Sequence, residues 1–456
     1  MTVPNYLAAA AADLMACNKC ALCQEVCPAF AATTLETDGA RGRNQLIRLL
    51  AAGELEPVLR GELRQRLATC LLCGACTTAC PSGVATDRLV VAARQALAGP
   101  SGPPGLMGTV LHTLLRHPDM LDRVTSPLRL YELSGLRSLL TKGGTAPLPG
   151  RIGRMEAMIP PLPRRSFRAG LAQWQATVAQ VAERWHAQQE ARPDKRDVRV
   201  AYFCGCLTNA MFSGIAEAVY GVLVLNGYQV SVPDIACCGA AHEAYGDQEF
   251  LLSLARRNVD ALSGSGIDVV VTDCATCAHT LIKYRELLAD DPAYAARAAN
   301  LATKVREVCQ LLVEGGFAVP DHDRPLGPSG EPEAIAIAYH DPCHLARGLG
   351  VREQPRQVLR AVPGVVLREL TEPELCCGGA GSFAVTQPAI SQQILTRKMD
   401  GFRATGAAQL ATTCPACMLQ LGAGLRLSGL AERPVHPCEL LWRAYMAAAD
   451  TAEQRL

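Results

Sequence analysis

The sequence predicts an α/β protein in which an all-helical N-terminal module precedes two tandem α/β units built on parallel sheets. Three observations predict it. No strand-like run occurs in the first 98 residues, where apolar positions follow helical spacing. After residue 197, short β-type runs alternate with helical stretches, the pattern of parallel strands joined by helices. The cysteines of that second region recur at nearly equal spacing, so the region is an internal repeat.

Residues 1–98 carry two cysteine runs: Cys17-x2-Cys20-x2-Cys23-x3-Cys27-Pro28 and Cys70-x2-Cys73-x2-Cys76-x3-Cys80-Pro81. Asn44–Ala52 and Leu55–Leu67 between them read as helices, and Thr86–Ala98 after them as a third. The C-x2-C-x2-C-x3-C-P spacing is that of cubane [4Fe–4S] ligands. Three thiolates on one tight loop reach three corners of a cube. The fourth, set off by three residues and followed by proline, usually serves the other cluster. Structural zinc prefers paired C-x2-C knuckles and four ligands in all, which fits a triplet less well. A chain with two such clusters moves electrons one at a time.

Residues 99–196 read as a helical connector. Gly99–Gly105 is a glycine and proline cluster, and Pro147, Pro149, Pro160, Pro161 and Pro163 follow. Leu106–Leu115 and a longer stretch near Gly170–Gln189 read as helices, and no chemistry is legible in them.

The repeat occupies residues 197–325 and 331–456. Val198–Phe203 is a strand leading to Cys206, and Ala334–Tyr339 one leading to Cys343. Helical patterns follow at Ile215–Leu225 and Val351–Ala361. Second strands at Tyr228–Val232 and Val365–Leu370 lead to Cys237-Cys238-Gly239 and Cys376-Cys377-Gly378. Third strands at Asp268–Thr272 and Leu410–Thr413 lead to Cys274-x2-Cys277 and Cys414-x2-Cys417. Five cysteines in each half thus fall just after the carboxyl ends of strands, where open α/β sheets build their sites. Adjacent cysteines point differently, so both can ligate only a multi-atom centre or two metals. Four thiolates also suit a tetrahedral zinc site.

Composition bounds the function. The 456 residues suffice for about three domains. A net charge of +1 gives no electrostatic reason to expect nucleic acid or a polybasic membrane contact. No apolar window is long enough to span a membrane. The longest apolar stretch, Met211–Leu225, carries Glu217 and reads as a buried helix. The N-terminus lacks the basic region of a secretion signal. Twenty-one cysteines without such a signal point to a reducing cytoplasm, where clustered cysteines mean metal.

On these motifs the chain resembles a known family. The Cys-Cys-Gly repeats look like the cysteine-rich (CCG) domains of heterodisulfide reductase catalytic subunits. A two-cluster ferredoxin followed by two CCG domains resembles the iron–sulfur subunit of glycolate oxidase. It also resembles the D-type subunit of heterodisulfide reductase and the C-type subunit of anaerobic glycerol-3-phosphate dehydrogenase. Gly39–Arg43, Cys76–Val84 and Cys376–Gln387 look most like the glycolate-oxidase type. The resemblance implies that Cys17, Cys20 and Cys23 bind one cubane with Cys80, and Cys70, Cys73 and Cys76 the other with Cys27. It implies one or two further clusters at Cys206, Cys237, Cys238, Cys274, Cys277 and at Cys343, Cys376, Cys377, Cys414, Cys417. Both sets are complete, which tilts toward a disulfide-reducing relative. Cys204 departs from the family pattern, as a spare thiol or a ligand variant.

Other residues carry plainer expectations. Cys309 and Cys438 sit on helical patterns and read as buried hydrophobes. His242, His279, His340, His344 and His436 lie near the CCG loops, as hydrogen-bonded imidazoles or proton carriers. Arg41 and Arg43 either donate to cluster sulfurs or pair at the surface. Gly378-Gly379-Ala380-Gly381 lets backbone pack against a cluster more simply than it forms a phosphate loop.

The expectation is an oxidoreductase subunit that relays electrons from an FAD-containing 2-hydroxy-acid (glycolate or lactate) dehydrogenase to quinone or another acceptor. The chain has no flavin or nicotinamide fingerprint, so the flavin belongs to a partner. It is expected in the cytoplasm, peripheral at the inner face of the membrane. The alternatives are a heterodisulfide-reductase-like catalytic subunit, which cleaves a disulfide at CCG clusters, and a non-enzymatic adaptor.

Overall fold

A computed structural model describes residues 11–98, 112–113, 118–140, 158–187, 197–264, 266–319, 334–430 and 433–453, with Leu7, Gly153, Glu156 and Lys195. The described N-terminal residues form helices and turns without strands. In the helix Ala40–Ala52, Ile47 and Leu50 bury against Leu63, Leu67, Leu89 and Val90. Gly53 ends it in the left-handed region (φ 73°), which glycine enters without a Cβ clash. The helix expected over Leu55–Leu67 is shorter. Pro57 disfavours helical backbone at the residue before it, so a 3-10 turn spans Pro57–Leu59 and the α-helix runs Arg60–Ala68. Thr86–Ala98 is helical as expected.

In the connector, the helix expected near Gly170–Gln189 is Phe167–Ala187. The one expected over Leu106–Leu115 falls largely outside the described residues. A further helix, Pro118–Leu133, carries buried Arg129, whose Nη2 donates to Ala210 O at 2.8 Å.

The repeats form two parallel sheets. The first holds β1 (Arg199–Tyr202), β2 (Gln229–Ser231), β3 (Val269–Thr272) and β4 (Val305–Glu307), in the order β2-β1-β3-β4. The second holds β5 (Ile335–Tyr339), β6 (Val365–Arg368) and β7 (Gln409–Ala411), in the order β6-β5-β7. A parallel bridge from Ala411 to Val435 takes the place of β4 there. The registers correspond: Tyr202 pairs with Val271, and Tyr339 with Ala411. Six of the seven strands lie where the sequence predicts them; β4 and the Val435 bridge were not expected.

Met211–Leu225, expected as one buried helix, is broken at Phe212 into Cys206–Met211 and Ser213–Leu225. The second of these is buried almost all round. Against it lies the helix Pro437–Glu453, which brings the end of the chain across the first repeat and joins both repeats in one core. Gly221 permits this approach, because a Cβ there would lie 2.4 Å from the Trp442 ring.

Candidate metal centres

Cys17, Cys20, Cys23 and Cys80 surround one cavity with Arg41 and Asn44. Lys19 and Ala21 take left-handed backbone that curls the triplet loop. Burial, and the sulfurs of Cys17, Cys20 and Cys80, push the Cys23 thiol up. In the second set Leu72 and Gly74 curl the loop in the same way. Burial, Cys70 and Cys27 push the Cys76 thiol up. The structure therefore brings the fourth cysteine of each run to the other run's triplet.

The two arginines divide the roles open to them. Arg43 is buried and takes the sulfur: Nη1 donates to Cys27 Sγ at 3.9 Å, and Nη2 to Thr69 Oγ1 at 2.7 Å. Arg41 pairs through Nε with Glu36 Oε1 at 2.6 Å, both side chains more than a third exposed.

All ten CCG cysteines line one chamber of about 310 Å³ between the repeats. Cys206 Sγ lies 3.8 Å from Cys237 Sγ. Hydrogen bonds from Cys206 and Cys238 hold the Cys237 thiol well below its usual range, and the same contact pushes Cys206 up. Cys343 and Cys377 act on Cys376 in the same way. The two sets meet at Cys274 and Cys414, which lie near enough for each thiol to shift the other, Cys274 up and Cys414 down. Thr276 Oγ1 lies 3.5 Å from Cys414 Sγ. Gly378 has φ 83°, and a Cβ there would come 2.9 Å from Ser391 O, so this glycine run is a close-packing device beside Cys377.

The second N-terminal set abuts this chamber. Cys73 shares a buried cluster with Cys27, Leu71 and Cys376, with Cys343 packed at its edge. Arg347 Nη1 donates to Cys73 O at 3.1 Å, and Nη2 to Glu374 O at 2.7 Å. These donors are nearly all sulfur, which suits iron–sulfur or zinc centres and not the oxygen-seeking cations.

The histidines take different places. His279 and His344 stack on the chamber wall, with ring centroids 5.0 Å apart. His344 Nδ1 meets Thr276 Oγ1 at 3.1 Å, and burial pushes His279 down to about 2. His340 is fully buried, with its ring nitrogen within 4.8 Å of the Cys377 and Cys417 sulfurs. His242 does not line the chamber; Asp247 Oδ2 accepts from its Nδ1 at 2.8 Å and from His112 Nε2 at 2.6 Å.

Cys204 lies in the hydrophobic core outside the chamber lining, where burial pushes its thiol up. Cys309 and Cys438 are buried as expected, but they also come together across the repeats, near enough for each thiol to shift the other. Burial opposes it, yet Cys309 and the neighbouring His436 bring Cys438 down to about 6. His436 rises to about 9 against its burial through its contact with Cys438. Glu307 joins the group, pushed up to about 8 by burial. The sequence holds a signal for this cluster: Arg306–Leu312 (REVCQLL) and Val435–Leu441 (VHPCELL) align Cys309 with Cys438 and Glu307 with His436.

Comparison with known proteins agrees with this layout. Residues 13–84 match the family described as 4Fe-4S dicluster domain, and residues 200–282 and 337–422 that described as Cysteine-rich domain. Residues 103–159 match the linker region of the glycolate oxidase iron-sulfur subunit. The probable glycolate oxidase iron-sulfur subunit of Bacillus subtilis is 31% identical over 441 residues, covering 95% of this chain and 94% of that protein. Lactate utilization protein A of Shouchella clausii is 32% identical over 245 residues, 54% of this chain and 98% of that protein. One subunit of the fumarate reductase (CoM/CoB) of Methanothermobacter marburgensis is 31% identical over 249 residues, 54% of this chain and 46% of that protein. With every segment of the layout matched and one relative aligned over nearly its whole length, this chain belongs to the glycolate oxidase iron–sulfur subunit family.

Proposed function

We propose that this chain is the electron-transfer subunit of a flavin-dependent 2-hydroxy-acid dehydrogenase, with glycolate or lactate as substrate. An FAD-containing partner subunit oxidises the substrate, and this chain passes the electrons toward a quinone or another acceptor. The observation that carries the reading is the contiguity of the cysteine sets. Cys17 and Cys80 of the first cavity pack on the same apolar cluster as Cys70 of the second set, and Cys73 of that set shares a buried cluster with Cys376 of the chamber.

The residues named for each site fit iron–sulfur centres. Cys17, Cys20, Cys23 and Cys80 hold one cubane, and Cys70, Cys73, Cys76 and Cys27 the other. The five cysteines of each repeat hold a further centre. Such centres, when bound, take and release single electrons. The chain's own residues shield the chamber from water, since most of its cysteines are buried, whereas Cys20 of the first set is exposed. Arg43 supplies an N–H donor to a ligand sulfur, one of the levers that sets a potential. No helix among the described residues is long and apolar enough to cross a membrane. A cytoplasmic chain, peripheral at the inner membrane face, is the placement this reading takes.

A second reading, disulfide reduction within the chamber, draws on one observation: both CCG sets face the same space and touch at Cys274 and Cys414. One experiment separates the two. The chain is co-purified with a flavoprotein partner and mixed anaerobically with glycolate or lactate while cluster reduction is followed by EPR. Reduction that needs both partner and hydroxy acid supports the relay. Thiol–disulfide turnover by the isolated chain, without hydroxy-acid-driven reduction, sinks the relay and leaves the second reading.

A further inference from the structure

The two repeats place different residues at one equivalent position. β1 and β5 correspond through Tyr202 and Tyr339, so Phe203 matches His340 and Cys206 matches Cys343. The backbones agree as well. Phe203 N donates to Val271 O at 2.7 Å, and His340 N to Ala411 O at 2.9 Å. Both side chains are fully buried. The first repeat thus shows that this place in the fold accepts a hydrocarbon ring. An imidazole there is not something the packing demands.

Neither ring nitrogen of His340 has a hydrogen-bond partner among the described residues. The Pro373 carbonyl lies nearby, but it already accepts from Asp341 N at 3.1 Å and from Lys398 Nζ at 2.9 Å, and it makes no hydrogen bond to the ring. Leaving a buried polar group unpaired is destabilising, because it gives up its hydrogen bonds to water and gains none in return. His340 has two such atoms, where Phe203 has none. What the ring does have is sulfur: its nitrogen and the thiols of Cys377 and Cys417 all lie within 4.8 Å of one another. Two thiolates and an imidazole on three separate elements form a donor set for a transition metal.

We propose that His340 is an iron ligand of the second CCG centre, through one imidazole nitrogen, so that the two CCG centres differ in chemistry as well as position. The inference rests on the reading that the second cysteine set holds iron. It leaves the first centre with cysteine ligands alone, since Phe203 cannot bind metal. The orphaned nitrogen then has its partner, and the extra polar ring at this one repeat has its reason.

The test uses the full chain, purified anaerobically with its clusters, and reads magnetic coupling instead of activity. Wild-type protein is made with 14N-histidine and with 15N-histidine, and pulsed EPR is recorded in each paramagnetic state the iron reaches. His340→Phe, which installs the residue the first repeat already tolerates, is treated identically, with iron content and thermal melting measured alongside. The expected result is a strong, isotope-sensitive nitrogen coupling in wild type that disappears in His340→Phe, while the variant stays folded. Iron near sixteen atoms per chain in wild type, with no strong histidine coupling, overturns the ligand and leaves the loaded centre standing (about sixteen corresponds to four [4Fe–4S] units). A coupling that survives in His340→Phe also overturns it, because another histidine is then the ligand. Iron near eight atoms per chain removes the centre itself, and the proposal falls with that reading (about eight corresponds to the two cubanes). Where His340→Phe unfolds, His340→Gln takes its place under the same two readings, and a labelled wild type without histidine coupling excludes His340 by itself.

Discussion

Cys73 and Cys376 share one buried cluster, although 303 residues separate them in the chain. The charge of each thiolate acts on the other, and Arg347 lies between the two elements that carry them. Here an N-terminal cysteine run meets the chamber. That meeting predicts that Cys73→Ser acts on both. The variant is expected to lose about four iron atoms per chain, one cubane's complement. The chamber centres are then expected to stay oxidised when hydroxy acid and flavin partner are added. Iron analysis with EPR checks both, and a variant that still passes electrons to the chamber rules this route out.

Arg43→Gln removes a cation and an N–H donor from Cys27 Sγ. The reduced form of a cluster carries more negative charge, so losing that donor favours oxidation. The second cubane should titrate at a lower potential, with the first unmoved. Folding should weaken by about 2 kcal/mol, because Arg43 also donates to buried Thr69. An EPR-monitored redox titration and a denaturant melt separate the two effects.

Gly221→Ala tests the seam between the chain's end and the first repeat. Mid-helix, alanine is worth about 1 kcal/mol over glycine. Here its methyl would lie 2.4 Å from a Trp442 ring that itself packs edge-on against Trp174 at 5.7 Å. Overpacking of that kind costs about 1–3 kcal/mol, so the clash wins. The apparent melting temperature should fall, compared with wild type at one scan rate. An unchanged or raised value would show that the indole moves aside freely.

Glu307 supplies a pH dependence. Burial raises its carboxyl from 4.5 to about 8, so the folded state holds a proton that the unfolded state releases between those values. Stability therefore falls as pH rises through that window, with a limiting slope of about 1.4 kcal/mol per pH unit. His436, raised to about 9, loses stability as pH rises from 6.5 to 9. Cys438, lowered to about 6, gains it as pH rises from 6 to 9. Those two largely cancel, and above pH 6.5, past the range in which buried His279 and His340 add stability as pH rises, Glu307 is left of these groups. Glu307→Gln keeps an oxygen to cap Cys309 N and Gln310 N and should flatten the curve. Melting temperatures from pH 6.5 to 8 give the answer, and equal slopes in variant and wild type would remove Glu307 as the cause.

The local chemistry was plain in the sequence, because iron–sulfur spacing is a covalent-distance constraint written into a few consecutive residues. The six strands that each lead to a cysteine motif of the repeat were plain too. β4 and the Val435 bridge were not, since three residues carry too little pattern to stand out beside the helices Ala295–Lys304 and Val308–Gly315 that flank β4. Arg43 and Arg41 are two residues apart in sequence, and only the packing of Ala40–Ala52 turns one inward to sulfur and the other outward to Glu36. The meeting of Cys309 with Cys438 depends on the last helix crossing the first repeat. Aligning REVCQLL with VHPCELL hints at an equivalence, yet it does not show that the two cysteines touch. The sharing of one chamber by both cysteine sets is likewise a product of how the halves close.

That closure bears on how the protein is made. The chamber is walled by both repeats, and the C-terminal helix ties those repeats into one core. A space of about 310 Å³ admits a small inorganic fragment, but no scaffold protein carrying one. Whatever the ten thiols hold must be handed over while the halves are still apart, or arrive afterwards as free ions and sulfide. Completion of the ten-thiol chamber therefore waits on the docking of the helix Pro437–Glu453, so a site for inorganic cargo is coupled to the folding of the whole repeat pair.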